Sequence, residues 1–539
     1  MLAALVLGWA AAVAEDVPPA AAVPGAAELE SRHARIGTVE VSVRNIFDTS
    51  DPREDYWLYR AADALHIRTR QATVRRQLLF ASGDEYRERV LRESERLLRS
   101  RIYLHDATIA TVAYDPATNT VDVTVTVRDV WTLSPSVSFG RAGGVNGSGI
   151  GLQEENLLGT GTRLLVRRSR DVDRTSMLAQ LSSESIGATH LRGGITVADN
   201  SDGRTRGFYL ERPFYALDTT RAAGVSGQHT SEVDSRYDRG RIVDQFAATR
   251  QSAQAYYGWS EGYRRGWVRR LYAGVRDEEA SFALDPRSSL PATRLPADRR
   301  LRYPWLGLEE REDRYATTAN RDQIGRTEDF FLGRYLYLEL GRAARGAGSD
   351  RDAWLARFAA SAGWQDGGRQ AFVNVTGGGR LEGGSADNAQ LTLVARGYLP
   401  ESEHWLLYGQ ATATETRRLD ADAQVLLGGD TGLRGYPLRF QTGTGSGLVT
   451  VEERFYSGWY PFRLVHVGGA VFTDAGRTWG RGVVGGPPLG TLKDIGVGLR
   501  LGNSRSGLGN VLHVDVSWAL DAPPGVRRYQ LTVQTQASY

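Results

Sequence analysis

Short runs in which apolar and polar residues alternate recur along most of the chain. The runs at 335–341 ("YLYLELG"), 495–502 ("IGVGLRLG") and 529–539 ("YQLTVQTQASY") each place apolar side chains on one side and Gly, Gln, Arg or Glu on the other. A period of two is the signature of a half-buried β-strand. Gly, Asp, Asn and Ser separate such runs from residue 132 to residue 539, so this region is predicted to be all β.

Residues 36–131 have a different pattern. The run 36–43 ("IGTVEVSV") alternates like a strand, 69–80 and 82–100 have helical periodicity, and two further alternating runs follow up to residue 129. The order strand–helix–helix–strand–strand predicts a small α+β domain. No group of residues in it suggests chemistry, but the edge strands of its sheet could accept an extended peptide.

The first 35 residues are predicted to serve export. Residues 1–14 contain an uncharged apolar run that ends in "AVA" before Glu15, as a signal peptide and its cleavage site do. A buried hydrophobic helix is the alternative interpretation. The segment 15–35 is rich in proline and alanine and is predicted to be a linker. No later segment offers the run of about 18 apolar residues that a membrane-spanning helix needs.

Composition helps to decide which class of β-protein the region 132–539 forms. The chain has 62 glycines, 12 tryptophans, 23 tyrosines and no cysteine, and its 66 basic residues, of which one is a lysine, nearly balance 63 acidic ones. A net charge of +3 is too small to give an overall positive potential that would attract nucleic acid. Abundant glycine and interfacial aromatics favour a transmembrane β-barrel over the alternative, a soluble β-sandwich. At about 25 residues per strand and loop, 132–539 would form about 16 antiparallel strands.

Alternation also predicts which polar side chains point into such a barrel. In "LVTVEERFY" the apolar valines take one side, so Glu452 faces the lumen. In "FTDAG" the same rule places Phe472, Asp474 and Gly476 in the lumen. The glycine-flanked Arg434 lies in the loop just before these strands. An arginine folded into the lumen needs a carboxylate partner, and Gly432 and Gly435 would allow the tight backbone.

These segments resemble the marker motifs of the BamA/TamA-type outer-membrane assembly and secretion superfamily, the bacterial surface antigen barrels. The resemblance is carried by "LRGY" (Leu433, Arg434, Gly435 and Tyr436), by "FTDAG" at 472–476, by "EENLLGTG" at 154–161 and by the aromatic terminal strand with Tyr529 and Tyr539. The α+β domain is similar to the periplasmic POTRA domain of that family. The resemblance implies a sixteen-strand barrel in which Arg434 meets Asp474 and Glu452.

The same resemblance implies a function. The barrel would lie in the bacterial outer membrane with its single POTRA-like domain in the periplasm, and it would insert outer-membrane proteins or translocate polypeptides. Its partners would be membrane lipid, a polypeptide client bound by strand addition, and periplasmic chaperones or lipoproteins, with no nucleic acid. A passive pore or a lipid-moving barrel without a polypeptide client is the alternative. One POTRA-like domain, where general assembly factors carry several, favours a narrow client or a different cargo.

No enzymatic activity is expected. The sequence has no G-x-S-x-G motif, no phosphate-binding loop, no G-x-G-x-x-G fingerprint and no histidine pair at metal-ligand spacing, so no catalytic residue, cofactor or metal ion is predicted. A hydrolase whose residues are spread over distant strands is the remaining enzymatic alternative. The charge-rich stretch 277–329 is expected to be a long loop on the cell surface.

Overall fold

The structure is a computed structural model that describes residues 23–187, 189–506 and 511–536. The predicted signal peptide at 1–14 and the last residue, Tyr539, lie outside this part of the chain. Among the described residues, no helix is long and apolar enough to cross a membrane. The described chain divides into an N-terminal unit and a large closed sheet.

The N-terminal unit spans residues 26–129 and packs helices on a three-stranded sheet. In chain order its elements are α1 (Ala26–Ser31), β1 (Arg35–Arg44), α2 (Trp57–Leu65), α3 (Gln71–Arg75), α4 (Glu88–Arg99), β2 (Leu104–Asp115) and β3 (Thr120–Asp129). β3 is the central strand, parallel to β1 and antiparallel to β2. β1 and β2 are therefore the edge strands of this sheet, and the start of β1 also bonds through its backbone to residues 83–86.

The N-terminal unit folds around one apolar core. Alternate valines of β3, from Val121 to Val127, are buried against Leu91 and Leu98 of α4. Leu29 of α1 is fully buried in the same core. Residues 26–31 thus belong to the unit, although they fall within the segment 15–35 that the sequence assigned to a linker.

The rest of the described chain is almost entirely β. The next strands are β4 (Leu133–Ala142), β5 (Val145–Glu154), β6 (Thr162–Arg170), β7 (Thr175–Ser183), β8 (Arg192–Asn200), β9 (Gly203–Arg212), β10 (Arg221–Asp238), β11 (Arg241–Arg264), β12 (Trp267–Ala283), β13 (Arg299–Glu312), β14 (Tyr315–Ala319) and β15 (Thr327–Phe331). They are followed by β16 (Tyr335–Ala343), β17 (Ala353–Asp366), β18 (Arg369–Glu382), β19 (Ser385–Pro400), β20 (Trp405–Arg417), β21 (Val425–Leu427), β22 (Gln441–Gly443), β23 (Gly445–Tyr456), β24 (Val465–Trp479), β25 (Leu492–Asn503), β26 (Val511–Ala519) and β27 (Tyr529–Gln536).

Twenty of these strands close into one antiparallel barrel, in which β27 pairs with β4. The other four form two hairpins, β14–β15 and β21–β22. The predicted count of about 16 strands was wrong. Several turns, among them 143–144, 239–240 and 367–368, contain two residues, so a spacing of about 25 residues per strand and loop was too long.

The barrel is apolar outside and polar inside. In β24, Val471 is 52% exposed on the outer surface, whereas its neighbour Phe472 and the next inward residue, Asp474, are 2% and 0% exposed. Large apolar side chains cover the exterior on many other strands, including Ile150, Ile195, Val275, Leu306 and Leu340. Soluble proteins rarely expose an apolar surface of this extent, so this exterior has the character of a lipid-facing surface.

The N-terminal unit sits at one end of the barrel, here called the proximal end; the opposite end is the distal end. The turn between β5 and β6 contacts the unit through Asn156, whose Nδ2 donates to Thr69 Oγ1 at 2.7 Å. The turn between β25 and β26 does so through Arg505, whose Nη1 donates to the Ile46 carbonyl at 2.7 Å. Proximal turns are therefore fastened to the unit at more than one point.

Two connections fold into the barrel instead of staying outside it. The lumen loop, residues 418–444 with β21–β22, connects β20 and β23 at the distal end. The proximal hairpin, residues 313–334 with β14–β15, connects β13 and β16 at the proximal end. The expectation that 277–329 forms one surface loop was therefore wrong, because this stretch contains β13 and most of the proximal hairpin.

Candidate functional site

The lumen loop carries the motif that the sequence analysis singled out. Leu433, Arg434 and Tyr436 have no exposed surface. The loop is held together by the pairing of β21 with β22 and by the Gly428 and Thr431 contacts that close its inner turn. A polar loop is therefore buried inside the barrel, where each of its charged groups needs a partner.

Arg434 finds its partners on the barrel wall. Its Nε donates to Asp474 Oδ2 at 2.7 Å and its Nη2 to Asp474 Oδ1 at 2.9 Å, a bidentate contact. Its Nη1 donates to Glu452 Oε1 at 2.6 Å and to Asp515 Oδ2 at 3.3 Å. Planar guanidinium groups suit such paired carboxylate contacts, which fix both distance and orientation.

Two more arginines complete an ion-pair cluster, which consists of Arg434, Arg454, Arg500, Glu452, Asp474 and Asp515. Arg454 Nε donates to Glu452 Oε2 at 2.8 Å, and Arg500 contacts both Glu452 and Asp515. Three positive and three negative side chains thus neutralise one another in a place where none of the six residues is more than 4% exposed. Charges buried this deeply are tolerated only when they are paired.

An aromatic ring supports the central arginine. The guanidinium carbon of Arg434 lies 3.3 Å from the centroid of the Phe472 ring, a cation–π contact. Gly496 on β25 leaves room for this ring, since a Cβ there would lie 2.3 Å from Phe472 Cζ. Thr450 Oγ1 donates to Asp474 Oδ1 at 2.7 Å and so orients the carboxylate toward the arginine.

Glycines allow the loop backbone to approach the wall. The Gly435 amide donates to Asp494 Oδ2 at 3.0 Å, and a Cβ at this position would lie 2.6 Å from Asp494 Cβ. Gly432 adopts φ of 110°, which side-chain-bearing residues rarely accept. Gly476 faces Leu427 of the loop, where a Cβ would come within 3.0 Å. All three glycines lie where the loop and the wall are in contact.

The residues on either side of Arg434 anchor the loop in apolar surroundings. Leu433 and Tyr436 belong to a cluster with Leu427, Phe440 and Leu492. The Tyr436 hydroxyl donates to the Lys493 carbonyl at 2.9 Å, which satisfies its polar end. The motif "LRGY" therefore combines one charged contact with two buried apolar anchors.

A second set of contacts holds the loop to β13, to β18 and to the turn between β6 and β7. Asp420 accepts a bidentate pair from Arg380 at 2.8 Å each, and Asp422 accepts from Arg299 at 2.8 and 2.9 Å. Near the end of the loop, Arg439 donates to both Asp173 oxygens. The lumen loop thus crosses the barrel and is fixed on two sides.

The structure brings together Arg434, Asp474, Glu452 and Phe472 and adds residues that the sequence analysis missed. Arg500 stood on the polar side of the run at 495–502, and Asp515 lies at an inward position of "VLHVDVSWA". Period-two alternation was therefore a sufficient signal for both. Asp420 and Asp422 lie in the loop after β20, where strand alternation gives no direction to side chains, so this signal does not extend to them.

The proximal hairpin occupies the other end of the lumen. Ile324, Phe330 and Leu332 pack against wall residues that include Tyr398 and Tyr408. The Tyr398 hydroxyl donates to Asp322 Oδ1 at 2.6 Å. Arg454 of the ion-pair cluster donates through Nη1 to the Arg321 carbonyl at 2.9 Å, so the hairpin touches the cluster that holds the lumen loop.

The same hairpin is bound to the N-terminal unit. Arg99 of α4 donates to both oxygens of Asp329 at 2.7 and 2.8 Å, and Arg96 reaches Asp313 at 3.1 Å. In the other direction, Arg326 Nη2 donates to the Leu104 carbonyl at 2.7 Å. The hairpin is thus a continuous physical link between the N-terminal unit and the lumen.

A polar cavity of about 1020 Å³ remains within the barrel. Its lining comes from β9–β13 and β17–β19 and includes the arginines Arg250, Arg299, Arg357 and Arg380 with Glu232 and Glu278. The contacts of Arg299 and Arg380 with the lumen loop show that the cavity lies beside that loop. The lining residues lie in the distal parts of their strands, so the lumen is partly open beside the lumen loop.

The seam between the first and last barrel strands is weakly paired. β4 forms ten register pairs with β5, and β27 forms eight with β26. Between the described residues of β4 and β27 there is one register pair, Arg141 with Val533. Tyr529 begins β27 with its ring 63% exposed, whereas Tyr539, the other residue of the predicted terminal signal, lies outside the described residues.

No family model matches the chain, and no curated protein matches it. Solved structures similar to it include BamA from Haemophilus ducreyi lacking POTRA domains 1–3, at 12% identity over 92% of this chain and 84% of that one, with a TM-score of 0.41. CdiB from Acinetobacter baumannii is 12% identical over 93% and 73%, with a TM-score of 0.41, and CdiB from Escherichia coli is 14% identical over 93% and 76%, with a TM-score of 0.44. The fold assignment rests on the strand pairing itself.

Proposed function

We propose that the chain is a bacterial outer-membrane barrel that inserts outer-membrane proteins or translocates polypeptides. The apolar exterior would face lipid, and the proximal end with the N-terminal unit, acting as a POTRA domain, would face the periplasm. The distal end would face the cell exterior. The motif residues of the lumen loop and the closed barrel support this proposal, together with the N-terminal unit, in which three helices separate β1 from β2 and β3.

The observation that carries the proposal is the seam. Among the described residues of β4 and β27, Arg141–Val533 is the one register pair across the seam, and the other facing backbone groups described there have no such partner. Unpaired backbone groups in hydrocarbon cost several kcal/mol each. A client strand that pairs with either edge would satisfy them, and this gives the client a reason to enter there.

The N-terminal unit would deliver the client. β1 and β2 are the edge strands of its sheet, and an extended peptide can add to such an edge through main-chain hydrogen bonds. We propose lipid and a polypeptide client as the partners, with periplasmic chaperones or lipoproteins as accessories. Neither nucleic acid nor enzymatic activity belongs to this proposal, and strand addition requires no cofactor.

The first test is a comparison of proteomes between a deletion strain and its parent. Loss of one or several barrel proteins from the outer membrane would identify an assembly factor with a restricted client set. Loss of one protein from the medium would identify a secretion transporter. If neither proteome changes, the proposal of polypeptide handling is wrong.

A disulfide lock tests the seam itself, because the chain has no cysteine of its own. Directly paired residues of antiparallel strands lie about 4.5–5.5 Å apart, within reach of a disulfide. Arg141→Cys with Val533→Cys should complement the deletion under reducing conditions and fail when oxidised. The matched control, Phe139→Cys with Ser148→Cys, locks the fully paired β4–β5 and should complement in both states. Complementation by the oxidised seam variant would contradict the proposal.

The cavity supports a second candidate, a passive pore or a lipid-moving barrel without a polypeptide client. Its arginine-rich lining could set ion selectivity. This function requires a path past both the lumen loop and the proximal hairpin. Constant conductance of the unmodified protein in planar bilayers, without any client, would favour this candidate.

A further inference from the structure

Helix α2 of the N-terminal unit turns an apolar stripe outward. Trp57, Ala61 and Leu65 are spaced four residues apart and share one face, with Leu58 beside them. Trp57 is 73% exposed and Leu65 76% exposed. Large apolar side chains that are exposed together on one face indicate a contact with another apolar body.

The opposite face of α2 is firmly held, so the stripe does not result from a loosely attached helix. The Tyr59 ring stacks on Phe47 with centroids 4.3 Å apart. Its hydroxyl donates to the carbonyl of Phe462, in the proximal turn between β23 and β24. Ala62 packs in the same cluster as Ile46 and Phe47. The contacts of Tyr59 therefore fix α2 against the rim of the barrel.

The rim that Tyr59 contacts also carries exposed aromatic residues. In the turn that Tyr59 contacts, Trp459 is 65% exposed and Phe462 is 80% exposed. Trp405, at the start of β20, is also exposed and packs against Phe455 with ring centroids 4.9 Å apart. Tryptophan and other aromatic residues at a barrel rim mark the boundary between headgroups and acyl chains. Helix α2 thus lies next to that boundary.

We propose that α2 binds the phospholipid surface, with its apolar stripe inserted at the boundary between headgroups and acyl chains of the leaflet at the proximal end. The inference rests on the membrane placement proposed above. An interfacial helix of this kind buries its apolar face at that depth and keeps its charged residues among the headgroups. Exposed Arg60 and Arg68 flank the stripe and would reach lipid phosphates.

Lipid fits this surface better than a polypeptide client. Client capture by strand addition needs free backbone groups, and those of the helix are already used within it. Helix α2 also lies against a rim that carries exposed aromatic residues, and the outer surface of the barrel is apolar, so one lipid surface would cover both. Insertion would fix the N-terminal unit close to the seam, since the same unit contacts the turn between β25 and β26.

The experiment uses the full chain in phospholipid nanodiscs, with one spin-labelled cysteine per variant. Leu58→Cys and Leu65→Cys report on the stripe, Arg60→Cys on a charged position of the same helix, and Ile150→Cys on the barrel exterior. Relaxation by molecular oxygen, which is concentrated in lipid, is compared with relaxation by a water-soluble nickel chelate. Because all four side chains are exposed, these substitutions leave the core intact.

Labels at positions 58 and 65 should be relaxed more by oxygen than by nickel, as at 150, whereas the label at 60 should show the reverse. Nickel access at 58 and 65 equal to that at 60 would overturn the inference while the Ile150 label still reports lipid. Protection of 58 and 65 from both reagents would also overturn it, by showing that protein covers the stripe. Nickel access at 150 would instead contradict the membrane placement of the barrel.

Discussion

Arg434 and Asp474 are 40 positions apart in the chain and form a bidentate contact, with hydrogen bonds of 2.7 and 2.9 Å. Neither side chain has exposed surface. The contact joins the lumen loop to β24, and Glu452 shares the same guanidinium. Removal of the arginine would therefore leave the buried Asp474 without its guanidinium partner, whereas Glu452 would keep its contacts with Arg454 and Arg500.

Arg434→Ala should destabilise the barrel strongly. Breaking a buried ion pair by removing one partner costs about 3–5 kcal/mol, because the remaining charge stays buried. We expect a lower temperature for the heat-induced shift in gel mobility and faster proteolysis within the lumen loop. Arg481→Ala, at an exposed arginine of a distal loop, is the control and should match the parent protein. Equal heat stability of the two variants would show that Arg434 does not hold the loop.

Gly435→Ala should displace the lumen loop although it removes no charge. A Cβ at this position would lie 2.6 Å from Asp494 Cβ, and overpacking of this kind costs about 1–3 kcal/mol. Gly346→Ala is the matched control, since no atom lies within 4 Å of its added Cβ. Limited proteolysis should cut the loop faster only in the first variant. Equal rates would mean that the backbone does not need to approach the wall this closely.

The lumen loop and the proximal hairpin should close the barrel independently. Replacing 419–443 or 314–333 with a short glycine–serine turn leaves the other segment in the lumen. Each single variant should therefore conduct little in planar bilayers, and the double variant should conduct far more than the sum of the two. Heat-dependent gel mobility serves as the control for folding. Large conductance in either single variant would show that one closure alone seals the lumen.

The proximal hairpin should be held more tightly at acidic than at alkaline pH. Burial raises the pKa of Glu328 from 4.5 to about 7, although backbone amides of Arg321, Asp322 and Gln323 donate to its carboxyl group. Between these two pKa values, the Glu328 carboxyl stays protonated while the hairpin is bound in the lumen and ionises when the hairpin leaves it. Its stability should be full below pH 4.5, fall as the pH rises through about 7 and stay constant above that, a change on the order of 3 kcal/mol.

A spin label at the exposed position Ala319→Cys reports on this equilibrium. Its mobile fraction should grow between pH 5 and pH 8 in the otherwise unmodified chain. The variant Glu328→Gln cannot ionise, and its mobile fraction should not change over this range. Equal pH dependence in both proteins would assign the effect to another group.

The sequence predicted the central contact because strand alternation gives direction to side chains. Once Val449 and Val451 are placed outside, Glu452 must point inward, and the same argument places Asp474. An arginine in a glycine-rich loop next to these strands then has few other partners. The rule failed to reveal Arg500 and Asp515 only because it was not extended to every strand, since both obey it.

Strand alternation could not predict the number of strands or the position of the proximal hairpin inside the barrel. The described barrel strands range from eight residues in β27 to 24 in β11, so average spacing does not give a count. The stretch 313–334 is charged and looks like a surface loop. Its position depends on Arg99 in the N-terminal unit and on Tyr398 in a distant strand, and local sequence does not encode such contacts.

The even number of strands limits what can pass through the seam. With twenty strands, β4 and β27 run in opposite directions, and both adjoin the N-terminal unit's side of the barrel. A guest that enters between them keeps antiparallel pairing on both flanks only if it contributes an even number of strands. A single strand would have to run parallel to one neighbour, so the smallest guest that preserves the pattern is a hairpin, and larger guests should enter two strands at a time.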